Sequence, residues 1–339
     1  MPDSEDQGDV VLDIRDLRTR IETMRGVVHP VNEVSLQCRR GATLAVVGES
    51  GSGKTMTFLS VLGLLPAGGA IESGSVRYLG KEVPTGDAKA VRRLRGKSIG
   101  MIFQDALAGL NPSFTIGQQI GDVLRHHEGM SRAKARERVI ETLGLVGIPN
   151  PRERVSYYPH QLSGGMRQRV MIAMGVALQP SVLIADEPTT ALDVTVQAQI
   201  MELLDGLRSE LGMSLVIITH DLGVVARYAE EVAVMYAGRV VEHGTAGEVL
   251  KNSVHPYTEA LLRSSPRPDS HKAELDPIPG QPPNLLAIPS GCGFHPRCHR
   301  RRDRESCVSD VPGLRALDAV GQLTACHYAE EMAAEDVSV

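Results

Sequence analysis

Eight residues, Gly48-Glu-Ser-Gly-Ser-Gly-Lys-Thr55, restrict the middle of this chain to a strand, a tight loop and a helix, in that order. They match the phosphate-cradling pattern G-x-x-x-x-G-K-[ST] in full and directly follow the apolar strand Thr43-Leu-Ala-Val-Val47. A helix is expected from about Lys54 to Leu65, stopped by Pro66 and the pair Gly68-Gly69. Gly48, Gly51 and Gly53, with Glu49, Ser50 and Ser52 between them, let backbone N–H groups approach phosphate oxygens at the positive end of that helix. Lys54 can then reach the β/γ oxygens and Thr55 can coordinate magnesium.

A second stretch, Leu183-Ile-Ala-Asp-Glu-Pro-Thr-Thr-Ala-Leu-Asp193, reads as a buried strand ending in two adjacent carboxylates. A parallel strand delivers its last residues to the carboxyl edge of the sheet, where ligands of open α/β folds bind. There Asp186 can hold a magnesium ion and Glu187 can polarise a water. Taken alone, the pair also fits a solvated turn after a core strand. Two more apolar strands end in polar groups: Ser98-Ile-Gly-Met-Ile-Phe-Gln104, and Ser214-Leu-Val-Ile-Ile-Thr219 followed by His220-Asp221. Gln104 alone could cap a strand end, and a lone His220 is usually a hydrogen-bonded side chain. At the same sheet edge Gln104 could reach the metal and the attacking water, and His220 would arrive where Asp186, Glu187 and Gln104 stand.

Strands are further expected at Val10 to Leu17, Val31 to Cys38, Ser75 to Leu79, Val232 to Tyr236 and Arg239 to Glu242. The second of these places Val34, Leu36 and Cys38 on one face, so Cys38 reads as a small core residue. From Ile116 to about Leu178 the pattern is helical. Ser131 caps a basic amphipathic helix with Val139, Ile140, Leu143 and Val146 on one face. Ser163-Gly-Gly165 stands at a helix start whose backbone donors suit an anion, though Ser-Gly-Gly is also common turn chemistry. A helix is expected from Val194 to Leu211 and another near Gly247.

The chain has 339 residues, enough for one large domain and a smaller one. A net charge of −5 gives no bulk attraction for nucleic acid, and aromatics at 3% with no Trp leave few base-stacking platforms. The acidic start, Met1 to Asp9, lacks the features of a secretory signal, and no apolar run reaches the ~20 residues a membrane-spanning helix needs. A cytosolic chain that does not itself span a bilayer is expected. Near Ser264 the composition shifts to a Pro-rich linker. Beyond it Cys292, Cys298, Cys307 and Cys326 lie among Arg297, Arg300, Arg301, Arg302 and Arg304. Cytosolic cysteines are more often core residues or metal ligands than disulfides.

Taken in order, the glycine loop, Gln104, Leu162-Ser-Gly-Gly-Met166, Asp186-Glu187, Ala191-Leu-Asp193 and His220 resemble the complete motif set of ABC-transporter ATPase subunits. Met101-Ile-Phe-Gln-Asp105 with Leu110-Asn-Pro112, Tyr158-Pro-His-Gln-Leu-Ser-Gly-Gly-Met166, His255-Pro-Tyr-Thr258 and the late cysteines resemble the oligopeptide/dipeptide importer (OppD/DppD) type. The resemblance runs from about Val10 to Tyr328. It implies an α/β fold: a P-loop NTPase (RecA-like) core with an antiparallel β subdomain, an inserted helical subdomain and a small Cys-rich C-terminal domain. The ATPase domain would span about 10–250, with the helical subdomain at about 105–178. The C-terminal domain would span 251–333, with its cysteine segment at 292–326.

The resemblance further implies that Lys54 and the loop amides hold ATP, and that Thr55, Gln104 and Asp186 serve Mg2+ directly or through water. Glu187 would deprotonate the attacking water, and His220 would contact the γ-phosphate. Ser163, Gly164, Gly165 and Met166 would close over the ATP of a second, related ATPase subunit, with Asp193 at that interface. Implied partners are two transmembrane permease subunits and a solute-binding protein, with no nucleic acid. The subunit would sit peripherally on the cytoplasmic side of the cell (inner) membrane and power uptake of di- or oligopeptides. The alternatives are another solute such as nickel complexes, or a soluble ABC-type ATPase not coupled to transport. Cys292, Cys298, Cys307 and Cys326 would bind a [4Fe-4S] cluster, with Zn2+ as the rival. Where many members place an adenine-stacking aromatic, near Arg20 to Arg25, this chain offers Ile21.

Overall fold

The structure is a computed structural model that describes residues 9–105, 109–190, 192–265, 276–317 and 322–336. The acidic residues before Asp9, part of the loop after Asp105, Ala191 of the second motif stretch and the linker at 266–275 lie outside the described residues. The strands in chain order are β1 (Val10–Thr23), β2 (Gly26–Arg39), β3 (Thr43–Val47), β4 (Gly69–Tyr78), β5 (Lys81–Val83) and β6 (Ile99–Ile102). They continue with β7 (Val182–Asp186), β8 (Ser214–Thr219), β9 (Glu231–Tyr236), β10 (Arg239–Thr245), β11 (Arg315–Leu317) and β12 (Gln322–Thr324). The chain forms two compact units, residues 1–91 with 218–339, and residues 92–217.

In the first unit β2-β1-β4-β5 form an antiparallel sheet. Leu12, Ile14 and Leu17 on β1 and Val34, Leu36 and Cys38 on β2 are buried, as the period of two predicts for β2. Both strands are longer than expected, because they continue to the tight hairpin pair Thr23↔Gly26 with Met24 fully exposed at its tip. Gly69 also begins a strand, because β1 supplies a partner, Ile21↔Gly69, and backbone pairing overrides the turn preference of the glycine pair. The helix after the loop, Lys54–Val61, stops earlier than Pro66 would require, with Gly63 in the left-handed region at φ 59.

The same unit holds the strand order β11-β12-β10-β9-β3. All five residues of β3 are buried, and β3 runs parallel to β9 in the register Val47↔Val234. β9 and β10 are joined by Ala237-Gly238, both at positive φ, 49 and 80, the geometry of a two-residue turn matched to strand twist. The stretch that carries the late cysteines returns to this sheet, since β12 pairs with β10 through Glu242↔Thr324.

In the second unit β6 and β7 pair in parallel, Ile102↔Ala185, with β8 on the other side of β7. β6 is shorter than the expected Ser98 to Gln104. The helical stretch resolves into Ile116–Glu128, Arg132–Leu145 and Gly164–Val176 as its three longer helices. Thr115 and Gln118 form a reciprocal capping box, and the Ser131 hydroxyl accepts the Lys134 N–H as predicted. Each such cap contributes about 1 kcal/mol. Val194–Leu211 has the expected bounds because Asp193 accepts the Val196 N–H at 3.0 Å and Gly212 closes the other end at φ 63.

Beneath β10 two titratable groups are buried in one place. The Glu242 carboxyl accepts the Val254 and His255 N–H groups at 2.8 and 3.2 Å, and burial pushes it up to about 7. His255 Nδ1 accepts the Tyr257 N–H at 3.1 Å, and full burial pushes the ring down to about 3. Glu242 is raised on folding, so its contribution is present below about 4.5 and is lost as pH climbs through 7. His255 is lowered, so its contribution is present above about 6.5 and is lost as pH falls towards 3. Between about 4.5 and 6.5 the two slopes oppose. Glu242→Gln should remove one of them, so that the melting temperature falls steadily on acidification across this window. A scan of melting temperature against pH checks this, and a curve unchanged from the parent would contradict it.

Candidate nucleotide site, in two halves

Each half of the site is built within one unit. In the first, the loop between β3 and Lys54–Val61 has Gly48, Gly51 and Gly53 at φ 148, 78 and 102, where L side chains are strained. Gly48 and Gly53 are glycine for a second reason. A Cβ would stand 2.2 Å from the Met235 carbonyl oxygen at Gly48 and 2.1 Å from that of Pro30 at Gly53, whereas at Gly51 it would meet nothing. The loop is fastened to the β9–β10 turn, as the Gly238 N–H donates to the Ser52 carbonyl at 2.9 Å.

Lys54 is buried, with its ammonium over the loop, donating to the Gly48 and Glu49 carbonyls at 2.7 and 2.9 Å and to Ser52 Oγ at 3.4 Å. That places a cation beside the loop, where phosphate oxygens would compete for it. Thr55 follows on the first turn of the helix. His220, directly after β8, also lies in this unit. It precedes Asp221, whose carboxylate caps Leu222–Tyr228 by accepting the Gly223 and Val224 N–H groups at 2.8 and 3.3 Å.

Glu49 is expected in the phosphate cradle through its backbone, and its side chain has a further partner. Its carboxylate forms a bidentate pair with Arg297 at 2.7 and 2.9 Å, and its N–H donates to Tyr257 Oη at 2.8 Å. The amide of Glu49 is therefore taken by a side chain of the same unit. In the sequence Arg297 stands out only as one of the arginines near the cysteines. No local pattern marks a pair 248 residues apart.

In the second unit β7 ends in buried Asp186, followed by Glu187 at φ 44, a conformation uncommon for a non-glycine residue. Gln104 Nε2 donates to Glu187 Oε2 at 2.7 Å and Thr190 Oγ1 donates to the same oxygen at 2.9 Å. Two donors on one oxygen hold the carboxylate in one orientation. Gln104 and Glu187 thus share one sheet edge, as their strand ends predict, and the Thr190 contact leaves no mark in the sequence pattern. Ser163 caps Gly164–Val176 by accepting the Met166 N–H at 3.3 Å. A Cβ on Gly165 would stand 2.9 Å from Val196 Cγ1, so the small residue lets this helix approach Val194–Leu211, which Asp193 caps.

The late cysteines belong to the first unit. The Cys292 N–H donates to the Cys307 carbonyl at 3.0 Å, and Cys298, Cys307 and Cys326 line a cavity of about 40 Å³ with Arg300, Arg301 and Arg304. Burial pushes the Cys292 thiol up to about 11 and Cys326 up to about 12, with Cys298 and Cys307 also raised by desolvation. Among the described residues no three His, Cys, Asp or Glu side chains stand close enough to hold a metal ion. The described residues thus form no ready metal site for the expected [4Fe-4S] cluster or for its rival zinc, and burial favours the neutral thiols.

A phosphate-cradling loop on a buried parallel strand, with an acid pair and a glutamine at the tips of β7 and β6, defines an ATP-binding cassette ATPase. The comparisons with known proteins agree. The ABC transporter family model matches residues 31–190, and the oligopeptide/dipeptide transporter C-terminal region matches residues 241–307. The chain is 49% identical to the oligopeptide transport ATP-binding protein OppD of Salmonella typhimurium, over 94% of this chain and 93% of that protein. It is 49% identical to the dipeptide transport ATP-binding protein DppD of Bacillus subtilis, over 86% and 87%. A dimeric bacterial ABC transporter cassette, MJ0796, superposes with a TM-score of 0.62 at 27% identity, covering 69% of this chain and 98% of that one. The chain belongs to the ABC transporter ATP-binding subunits of the oligopeptide/dipeptide type, ATPases that power importers. Among its described residues no helix is long and apolar enough to cross a membrane.

The glycine geometry gives a graded test. Gly51→Ala should cost only the left-handed penalty of about 1–2 kcal/mol and keep nucleotide binding. Gly48→Ala and Gly53→Ala should displace the loop and lose it. Fluorescent-nucleotide titration beside thermal melts separates these outcomes, and three equal losses would contradict the packing argument.

Proposed function

We propose that this subunit drives uptake of di- or oligopeptides, and that the family's site roles fall on the residues expected. The supporting observation is that the match to OppD and DppD runs through the C-terminal region as well as the cassette. In the first unit Lys54 and the loop amides bind the phosphates, Thr55 serves magnesium and His220 contacts the γ-phosphate. In the second unit Asp186 and Gln104 serve magnesium, and Glu187 accepts the proton of the attacking water. Magnesium, when bound, neutralises charge on the phosphates. Ser163 to Met166, with Asp193, closes over ATP held by a second ATPase subunit, in keeping with the dimeric MJ0796 cassette.

The subunit works peripherally at the cytoplasmic face, with two permease subunits and a solute-binding protein. The second unit offers a surface for the permeases: Phe103, Phe114 and Tyr158 are 41%, 48% and 39% exposed. The chain has only four Phe, so two of them left in water call for a partner. The division at about residue 250 into a cassette and a C-terminal domain belongs to the same proposal.

Glu187→Gln should retain ATP binding and lower turnover by about two to three orders of magnitude. Phosphate release by the assembled transporter reads this, and near-parental turnover would remove Glu187 from its role. Uptake of labelled peptides by the same preparation tests the substrate, and transport restricted to non-peptide solutes would refute it.

The proposal extends to a [4Fe-4S] cluster held by Cys292, Cys298, Cys307 and Cys326. The supporting observation is that Cys298, Cys307 and Cys326 line one cavity with Arg300, Arg301 and Arg304, which would offset the cluster's anionic charge. When bound, its iron would keep the thiols ionised and cross-link the segment. Protein purified without oxygen should carry iron and acid-labile sulfide in similar amounts and lose both in Cys298→Ser, whereas a Cys38 substitution should leave them unchanged. Stoichiometric zinc without sulfide would count against the cluster.

A further inference from the structure

We infer that Arg297 and Tyr257 are positioning residues for the nucleotide loop, through which the cysteine-bearing segment sets the affinity for ATP. The inference rests on the reading of residues 48–55 as the phosphate cradle.

A phosphate cradle places a polyanion against its loop, yet this loop carries a carboxylate at its second position, Glu49. An unpaired Glu49 would repel the phosphates. Arg297 cancels that charge in the geometry best suited to it, two parallel N–H···O bonds from a side chain only 6% exposed. The guanidinium is itself fixed. Its Nε donates to the Pro279 carbonyl at 2.8 Å, and it lies 5.9 and 6.0 Å from the ring centres of Tyr236 and Phe294.

Tyr257, fully buried, receives the Glu49 N–H and so fixes the start of the loop. Tyr236, Tyr257 and Phe294 pack with ring centres 4.5 to 5.3 Å apart, which anchors both residues on one aromatic cluster. Cys292 and Cys298 pack against the same core. Arg297 closes the short turn His295–Arg297, Cys298 is its chain neighbour, and the His295 N–H donates to the Cys292 carbonyl at 2.9 Å. Reordering of the cysteine segment therefore displaces the guanidinium that pairs with Glu49.

The test compares KM for ATP and kcat in the full-chain assembled transporter. Arg297→Met should raise KM about tenfold with kcat changed less than twofold, within the usual range of coupling between sites. Adding Glu49→Gln should bring KM back to within about threefold of the parent, because the exposed charge is gone. A mere structural tie predicts no such rescue, and additive effects or an unchanged KM would overturn the inference. Cys298→Ser should raise KM in the parent and add nothing in the Arg297→Met background; an additive effect there would sever the link to the cysteines. Where Arg297→Met does not fold, Tyr257→Phe carries the question, with a rise in KM of about threefold expected and an unchanged KM overturning it. Lys54→Ala is the control. Its loss of nucleotide binding upholds the cradle, and binding as tight as the parent's would refute the cradle reading instead.

Discussion

A loop that must present backbone N–H groups to phosphate cannot satisfy those groups internally, so its shape has to be imposed by what surrounds it. Here the constraint is met by close approach. Gly48 and Gly53 pass so near the Met235 and Pro30 carbonyls that no side chain fits, and the β9–β10 turn grips Ser52. β3 supplies the rigid base, five buried residues parallel to β9. The rest of the first unit reads as support for this loop: one sheet beneath it, and a C-terminal segment that returns to pair at β12 and sends Arg297 and Tyr257 back to Glu49.

The second unit solves a different problem, the orientation of one carboxylate. Strand geometry carries Asp186 and Glu187 to the end of β7, but alternation alone would turn them to opposite faces. The positive φ of Glu187 breaks that alternation, and Gln104 and Thr190 then hold one oxygen from two sides. The local strain is the kind retained where a side chain must point in one direction for chemistry.

What was legible in the sequence follows from the range of the interactions involved. Helix Val194–Leu211 was legible to the residue because its caps, Asp193 and Gly212, act within one turn. β7, β8 and the glycine loop were legible because continuous burial and left-handed glycines leave local marks. The β1–β2 hairpin and the start of β4 were read short, since polar residues and a glycine pair are carried into strands by partners elsewhere in the chain. The ties on Glu49 were not legible at all. A bidentate pair spanning 248 residues has no periodicity, and Arg297 looks in sequence like one more arginine beside a cysteine.

The cysteine segment shows why composition can point to a group of thiols without giving their state. The four thiols are desolvated, and each ionisation would oppose the others, so the neutral form is favoured. Glu49 shows the complementary case. Its carboxylate is equally out of place beside a phosphate cradle, but it has its cation within the chain, on the residue directly before Cys298. The two charge problems therefore meet at one turn, His295–Arg297, and anything that changes the electrostatics of the thiols acts one residue away from the group that keeps the loop receptive to an anion.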